Sequence, residues 1–360
     1  MTKKQLHIII VDDEPDYRAR LAKRLAAPDI RCTDLAPPTH PDPTSIVDAK
    51  PDAVLVDYQL GQKQKGSTDK PAAYLGSLLV AAIRERFPAK PIILLTRRKL
   101  AQKITDFLGQ AADLDEAYDD LLYKETVDQS PDELRKKLRS LIRGYAVLKK
   151  RSATWPDVVS ALETPEYAKD ELRRFGSPSG HTFRPASIAR WIRRVVLSYP
   201  GPLLDELCAA TEIGITPTTF RSRAVASWFE SAKYNGVFAD DHDRWWRGAV
   251  RARADAFVRE HGGSDGGTFG EVWNVKRPKS RVVPSKCCVC GEPTSDAVCN
   301  VSRKPVMLRH SLPYYPDNRP PGFDVARISF KAIQRTDIKE EQFASNTLPI
   351  LKRIEDGDEA

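Results

Sequence analysis

The stretch Ile8-Ile9-Ile10-Val11-Asp12-Asp13-Glu14-Pro15 decides the fold. Four β-branched residues in a row suit a strand buried on both faces, and such strands occur in parallel sheets covered by helices. Acidic residues end the run, and Pro15 suits the first turn of a helix. That helix is expected to pass through Tyr17, Leu21 and Leu25 and to stop before Pro28, with a second strand over Ile30 to Leu35. Similar apolar runs recur at Ala53 to Val56, ending at Asp57, and at Ile92 to Leu95, ending at Thr96. Helical stretches at Ala73 to Phe87 and Pro131 to Lys149 alternate with them. The expected architecture is α/β, a doubly wound five-stranded parallel sheet over residues 1–150.

In such a sheet, loops converge at the carboxyl ends of the strands. Those ends hold Asp12, Asp13, Asp57, Thr96 and Lys124. Three gathered carboxylates repel one another unless a hard divalent cation offsets them, and oxygen donors suit Mg2+. A hydroxyl and an ammonium on the adjoining strands are what an incoming phosphoryl group needs.

Residues 5–150 resemble the receiver domain of two-component response regulators. The motifs are VDDE at 11–14, VLVDYQL at 54–60, ILLT at 93–96 and LLYKE at 121–125. The resemblance implies that Asp57 is the phosphoacceptor and that Asp12, Asp13, Asp57 and the backbone carbonyl of Gln59 hold Mg2+. It also implies that Thr96 is the switch hydroxyl, that Lys124 pairs with the phosphoryl group, and that a sensor histidine kinase is the donor. Three features depart from the family pattern. A polar segment, Gly61 to Lys70, lengthens the connection after Asp57; Glu125 follows Lys124 in place of proline; and Leu121 stands where a switch aromatic is usual, with Tyr118 and Tyr123 out of register.

The 360 residues carry 57 Lys+Arg and 49 Asp+Glu, with 41% apolar residues, 19 Gly and 27 Pro. This composition excludes collagen-like and wholly disordered classes. No run of eighteen apolar residues occurs, and the start MTKKQLHIII leads into acidic residues without a cleavage site. A cytoplasmic protein without membrane association is the expectation. Charge is uneven: residues 1–128 are net −1 and residues 129–360 are net +9. A polyanion such as DNA is therefore a candidate partner of the later part. RKKLRSLIRGYAVLKKR at 135–151 carries eight cations and no acid. It reads as a last receiver helix with a solvated basic face, or as a linker touching phosphates or a second copy of the chain.

Residues 151–262 read as a helical output domain, with helices expected at Pro185 to Leu197, Leu203 to Ile213, Pro217 to Glu230 and Asp243 to Arg259. Within it, LLDELCAATEIGITPTTFRSRAVASWF at 203–229 suggests a helix-turn-helix. Gly214 would supply the turn, Thr216 the cap, Pro217 the first helical position, and Ile213, Ile215 and Phe220 the shared core. Thr218, Thr219, Arg221, Ser222 and Arg223 would then meet a major groove. A plain helical hairpin accounts for the same pattern. Trp191, Trp228, Trp245 and Trp246 lie near arginines and read either as base-stacking platforms or as core.

Residues 263–360 form a cysteine-rich segment. Cys287 and Cys290 make a C-x-x-C turn followed by Gly291, and Cys299 and His310 could complete a tetrahedral Zn2+ site, with Cys288 competing with His310 for the last place. Glycine-rich Gly262 to Gly270 lacks the lysine of a phosphate loop, and the acidic tail after Leu351 is expected to fray. The leading reading is a non-enzymatic response regulator that controls transcription by binding DNA. The alternative is a receiver-gated effector that works through protein contacts or an enzymatic module with no visible motif.

Overall fold

The computed structural model describes residues 5–61, 74–97, 117–151, 154–174, 184–197, 201–241, 243–261, 268–294, 296–315, 325–336 and 340–355. Most of Gly61 to Lys70, most of Gly262 to Gly270 and the end of the acidic tail lie outside the described residues. The chain divides into two compact units: residues 1–162 with 178–191, and residues 163–177 with 192–360. The cysteine-rich stretch and most of the helical one, set apart in the sequence, fall within the same second unit, while residues 151–162 and 178–191 belong to the first.

In the first unit β1 (Leu6–Val11), β2 (Ile30–Leu35), β3 (Ala53–Asp57), β6 (Ile92–Thr96) and β7 (Asp120–Tyr123) form one parallel sheet in the order β2-β1-β3-β6-β7. The expected five-stranded doubly wound sheet is present. Register aligns the strand ends: Val11 pairs with Val56, and Asp57 with Leu95. Burial explains the β-branched runs, since Ile8 to Val11, Ala53 to Val56 and Ile92 to Leu95 are all fully buried. On one face, Ile9, Val11, Val54, Val56, Ile92 and Leu94 pack with Ile46 of α2 (Thr44–Asp48) and with Leu79, Val80 and Ile83 of α3 (Gly76–Arg86). Strand alternation sends Ile8 and Ile10 to the opposite face.

Helix α1 (Pro15–Leu25) starts at the predicted proline and buries Tyr17, Leu21 and Leu25. Between β3 and α3, β4 (Gln59–Leu60) pairs antiparallel with β5 (Tyr74–Leu75). This two-rung ladder closes the base of the inserted segment directly after Asp57. A short helix, α4 (Lys124–Gln129), and the long α5 (Pro131–Leu148) complete the unit's first 150 residues. Three of the basic residues of α5 pair within the unit itself. Arg139 Nε and Nη2 each lie 2.8 Å from the carboxylate of Asp29, Lys137 lies 2.7 Å from Asp120, and Arg135 donates to the carbonyl of Arg24. A last receiver helix with a basic face therefore fits these residues better than a phosphate-binding linker.

The second unit departs from the expected helices at three places. Leu203–Leu204 is a strand that pairs with Trp245–Trp246, so the helices on either side begin later, at Glu206 and Arg247. Ile192–Val196 winds as a π-helix after the α-helix Pro185–Trp191. The expected helix Pro217 to Glu230 breaks at Ser222, whose ψ of 139° interrupts the i to i−4 ladder between Pro217–Phe220 and Arg223–Trp228. The tryptophans are core. Trp191, Trp245 and Trp246 are buried, Trp245 meets Phe220 edge-on at 5.0 Å, and Trp228 donates to the carbonyl of Arg253, whose guanidinium lies over the indole. No described helix is long and apolar enough to cross a membrane.

Candidate functional site

The strand ends converge as the register requires. Asp12 follows β1, Asp57 ends β3, Thr96 ends β6 and Lys124 follows β7. Lys124 Nζ sits between two carboxylates, 2.8 Å from Asp12 Oδ2 and 3.0 Å from Asp57 Oδ2, with Glu14 Oε1 at 3.8 Å. All three main partners are buried: Asp12 0%, Asp57 4% and Lys124 4% exposed. Carboxylate oxygens of Asp12, Asp13 and Asp57 lie within 4.8 Å of one another. Asp12 Oδ1 accepts from the Glu14 N–H at 2.8 Å, and Asp13 Oδ2 from the Gly61 N–H at 3.2 Å.

The electrostatics follow from burial. Desolvation and the neighbouring Asp12 push the Asp57 carboxyl up to about 7, with Lys124 pulling the other way. Burial likewise raises Asp12 against the pull of Lys124. Burial alone would lower Lys124, but Asp57 and Asp12 outweigh it and hold the ammonium above its ordinary value. One buried cation thus faces three acids, an excess of negative charge that suits a divalent metal. Beside them the Thr96 hydroxyl, 1% exposed, has no hydrogen-bond partner among the described residues. An unsatisfied buried hydroxyl is costly and awaits an acceptor.

Strand order 2-1-3-4-5, with ligand groups at the crevice outside the strands' carboxyl ends, is the arrangement of the receiver class. The N-terminal unit has the receiver fold. Solved structures similar to this chain include a response regulator receiver domain from Clostridium thermocellum at 16% identity, covering 40% of this chain and 98% of that one, TM-score 0.29. Others are the receiver domain of an HD domain-containing protein from Pseudomonas fluorescens, at 23% identity over 40% and 98%, TM-score 0.28, and the receiver domain of Klebsiella pneumoniae RstA, at 23% over 38% and 98%, TM-score 0.27. No family model and no curated protein matches the chain. What the receiver pocket can do follows from its own geometry.

All the side chains expected in this pocket are there, and Gln59 stands in β4 two residues past Asp57. Three contributors went unread in the sequence. Glu14 reaches Lys124 and pairs with Arg97. The Tyr17 ring lies under Lys124 Nζ at 4.6 Å. Gly76 lies so close to the acceptor that a Cβ there would fall 1.8 Å from the Asp57 carbonyl oxygen. The sequence placed Gly76 inside the expected helix Ala73 to Phe87, and the chain distance from Asp57 hides the contact.

The residues expected to meet a DNA groove are arranged differently. Gly214, at φ 74°, makes the turn, and Ile213, Ile215 and Phe220 are buried as expected. Thr219, however, is buried: its hydroxyl accepts the Val283 N–H at 3.1 Å and lies 2.9 Å from the Thr216 hydroxyl. The Thr216 N–H in turn donates to the Val283 carbonyl, and Ile215 bridges to Pro284. Residues 282–285 therefore cover this side of the helix start, and Thr219 is withdrawn from any groove. Arg221 pairs with Glu206 at 3.1 Å; Thr218, Ser222 and Arg223 are exposed, with Arg223 beyond the break.

Among the cysteines, Cys287, Cys290 and His310 bring their ligand atoms within 4.8 Å of one another. Cys299 is fully buried outside that group, its sulfur accepting the N–H of Ser302 at 3.4 Å and of Ser329 at 3.2 Å. The expected fourth ligand, Cys299, is thus not brought together with the other three, which converge without it. Cys288 is also outside the group. Burial pushes the Cys287 thiol up, but the N–H groups of Cys290, Met307 and Val289 and the His310 imidazole bring it down to about 7.

Proposed function

We propose that Asp57 accepts a phosphoryl group from the phosphohistidine of a sensor kinase, and that this modification governs the rest of the chain. A single observation carries the reading: one buried ammonium is shared by Asp12 and Asp57, 2.8 and 3.0 Å away, beside the unpartnered hydroxyl of Thr96. An Asp57 carboxylate oxygen attacks phosphorus; the P–N bond of the donor breaks, an acyl-phosphate P–O bond forms, and the leaving imidazole takes up a proton. Lys124 then exchanges one carboxylate for a phosphoryl oxygen, and Thr96 donates its hydroxyl to another. Asp12, Asp13 and Asp57, with the Gln59 carbonyl, would hold Mg2+, which when bound offsets charge on the transferring group. The reaction ends at a phosphoprotein, so the unit is a regulator rather than an enzyme that turns over.

Incubation of the full chain with acetyl phosphate and Mg2+ tests this. The expected result is one phosphoryl group per chain by intact mass, absent in Asp57→Asn. Label on the Asp57→Asn variant would overturn the assignment.

For the output, DNA binding is supported by the net +9 of residues 129–360. Output through protein contacts, including pairing of two copies, is favoured by the covered helix start at Thr219 and by the use of α5 cations within their own unit. Binding of the full chain to mixed-sequence DNA separates the two. Affinity that falls steeply with salt supports DNA, while no binding at low salt supports protein contacts. A cytoplasmic location fits either output.

A further inference from the structure

The cysteine-rich stretch contains a short internal repeat. Lys286-Cys-Cys-Val-Cys-Gly-Glu-Pro293 and Val298-Cys-Asn-Val-Ser-Arg-Lys-Pro305 share their Cys, Val and Pro positions. The backbone repeats as well. The Cys287 N–H donates to the Glu292 carbonyl and the Cys299 N–H to the Lys304 carbonyl, both at 2.8 Å. Gly291 donates back to the Cys287 carbonyl at 2.9 Å, and Arg303 to the Cys299 carbonyl at 3.0 Å. Gly291 at φ 83° and Arg303 at φ 51° occupy the same left-handed position. Lys286 pairs with Pro293 as Val298 pairs with Pro305. Among the differences, the first turn has Cys290 where the second has Ser302, and Cys288 where the second has Asn300.

We propose that the first turn and His310 hold one thiophilic metal ion, Zn2+, through three ligands among the described residues, Cys287, Cys290 and His310, and that its fourth position takes an exogenous ligand. The distances fit: Cys287 Sγ lies 3.5 Å from His310 Nδ1. Tetrahedral zinc with Zn–S near 2.3 Å and Zn–N near 2.0 Å requires an S···N edge of about 3.6 Å. A thiol–imidazole hydrogen bond would account for that pair alone, but not for Cys290 converging on the same point. The Met307 N–H points at the Cys287 sulfur at 3.4 Å, a donor that favours a thiolate ligand. In the second turn, loss of the second thiol at Ser302 leaves Cys299 as a sulfur acceptor for two amides within the core. A site closed by four protein ligands is structural, whereas three leave room for an added donor. Cys290 is exposed, so the ligand set borders solvent; the Met307 thioether, 4.0 Å from Cys290 Sγ, lines it.

The test uses the full chain and does not depend on the phosphoacceptor reading. Purified with zinc present, the chain is expected to carry one equivalent. Exchange for Co2+ should give visible bands of a tetrahedral thiolate site, and these bands should shift on addition of β-mercaptoethanol as it takes the fourth position. Cys290→Ser and His310→Ala should each weaken Co2+ binding by more than about 100-fold, since removing even outer partners of a ligand costs 10- to 100-fold. Cys299→Ser should stay within about threefold of the unaltered chain on the same scale. Zinc well below one equivalent would overturn the proposal. So would bands indifferent to added thiol, a readout on the unaltered chain that stands even if Cys299→Ser fails to fold.

Discussion

The acid pocket of the first unit and the thiol cluster of the second are both sets of metal-ligand side chains, but they are held together in opposite ways. The pocket collects Asp12, Asp57, Thr96 and Lys124 from four strands, so its geometry depends on the whole sheet. The cluster takes two of its three members from a single turn. The pocket is buried and has its own cation in Lys124; the cluster is partly exposed, with backbone N–H groups in place of a counter-ion. A pocket that carries its cation can fold without metal. A cluster of converging thiols gains most from one.

Removing the cation from the pocket is expected to have the largest effect. Lys124→Met leaves two buried carboxylates unpaired, and breaking a buried pair in this way costs about 3–5 kcal/mol. Urea unfolding of the full chain, followed by a probe in the first unit, should show the loss, and Asp57 phosphorylation should fall with it. Stability within about 0.5 kcal/mol of the unaltered chain, the usual range of a neutral surface change, would mean that the pocket relies on solvent or metal rather than on Lys124. The contrast with the thiol cluster would then disappear.

The different construction also explains what could be read from the sequence. The parallel sheet was legible because its three central strands, β1, β3 and β6, are buried on both faces and so appear as uninterrupted apolar runs, each ended by a site residue. Glu14 and Tyr17 went unread because their roles depend on how the first turn of α1 faces Lys124, which spacing alone does not fix. In the second unit, Gly214, Thr216 and the buried Ile213, Ile215 and Phe220 matched a helix-turn-helix, but residues 282–285, far along the chain, cover Thr219, and Ser222 breaks the helix. Leu203–Leu204 looked helical because two leucines carry no period, and pairing with Trp245–Trp246 decided the matter. Spacing alone does not separate Cys299 from the three converging ligands: its turn repeats that of Cys287, but Ser302 stands where a second thiol would be.

Two glycines test the contrast at intermediate cost. Gly76 is required by close approach: an added methyl would meet the Asp57 carbonyl oxygen at 1.8 Å, and backbone cannot yield as a side chain can. Gly76→Ala should cost about 3 kcal/mol, the upper end for forcing a group into a packed interior, and should slow phosphorylation by displacing Asp57. Gly291 is required only by its own backbone, at φ 83° with nothing within 4 Å of an added Cβ. Gly291→Ala should cost about 1 kcal/mol, the usual penalty for a left-handed non-glycine residue, a conformation Arg303 already adopts in the second turn. Equal losses in the two variants, measured by urea unfolding, would mean that the sheet-built site is no less tolerant than the turn-built one.

The smallest effect is expected at the other end of the strand that leads to Asp12. His7 is buried in β1 and stays neutral: its Nδ1 accepts from Arg31 at 3.2 Å and its Nε2 lies 3.0 Å from the Thr33 hydroxyl. Burial, then the charge of Arg31, lower its pKa from the ordinary 6.5, against the Ala49 backbone and Asp52, which raise it. Because the unfolded chain binds the proton more readily, this contribution to stability is complete above pH 6.5, and it declines as pH falls from there through the lower folded value. The buried Asp52 carboxylate offsets only part of the cost of protonation, since burial and Arg31 outweigh it, and protonated Nδ1 loses its hydrogen bond from Arg31. Urea midpoints between pH 8 and pH 5 should therefore fall more for the unaltered chain than for His7→Gln, whose amide offers both an acceptor and a donor without titrating. Parallel pH profiles would show that the imidazole takes up its proton at no cost to the fold, and that burial without a cluster leaves no electrostatic mark on this sheet.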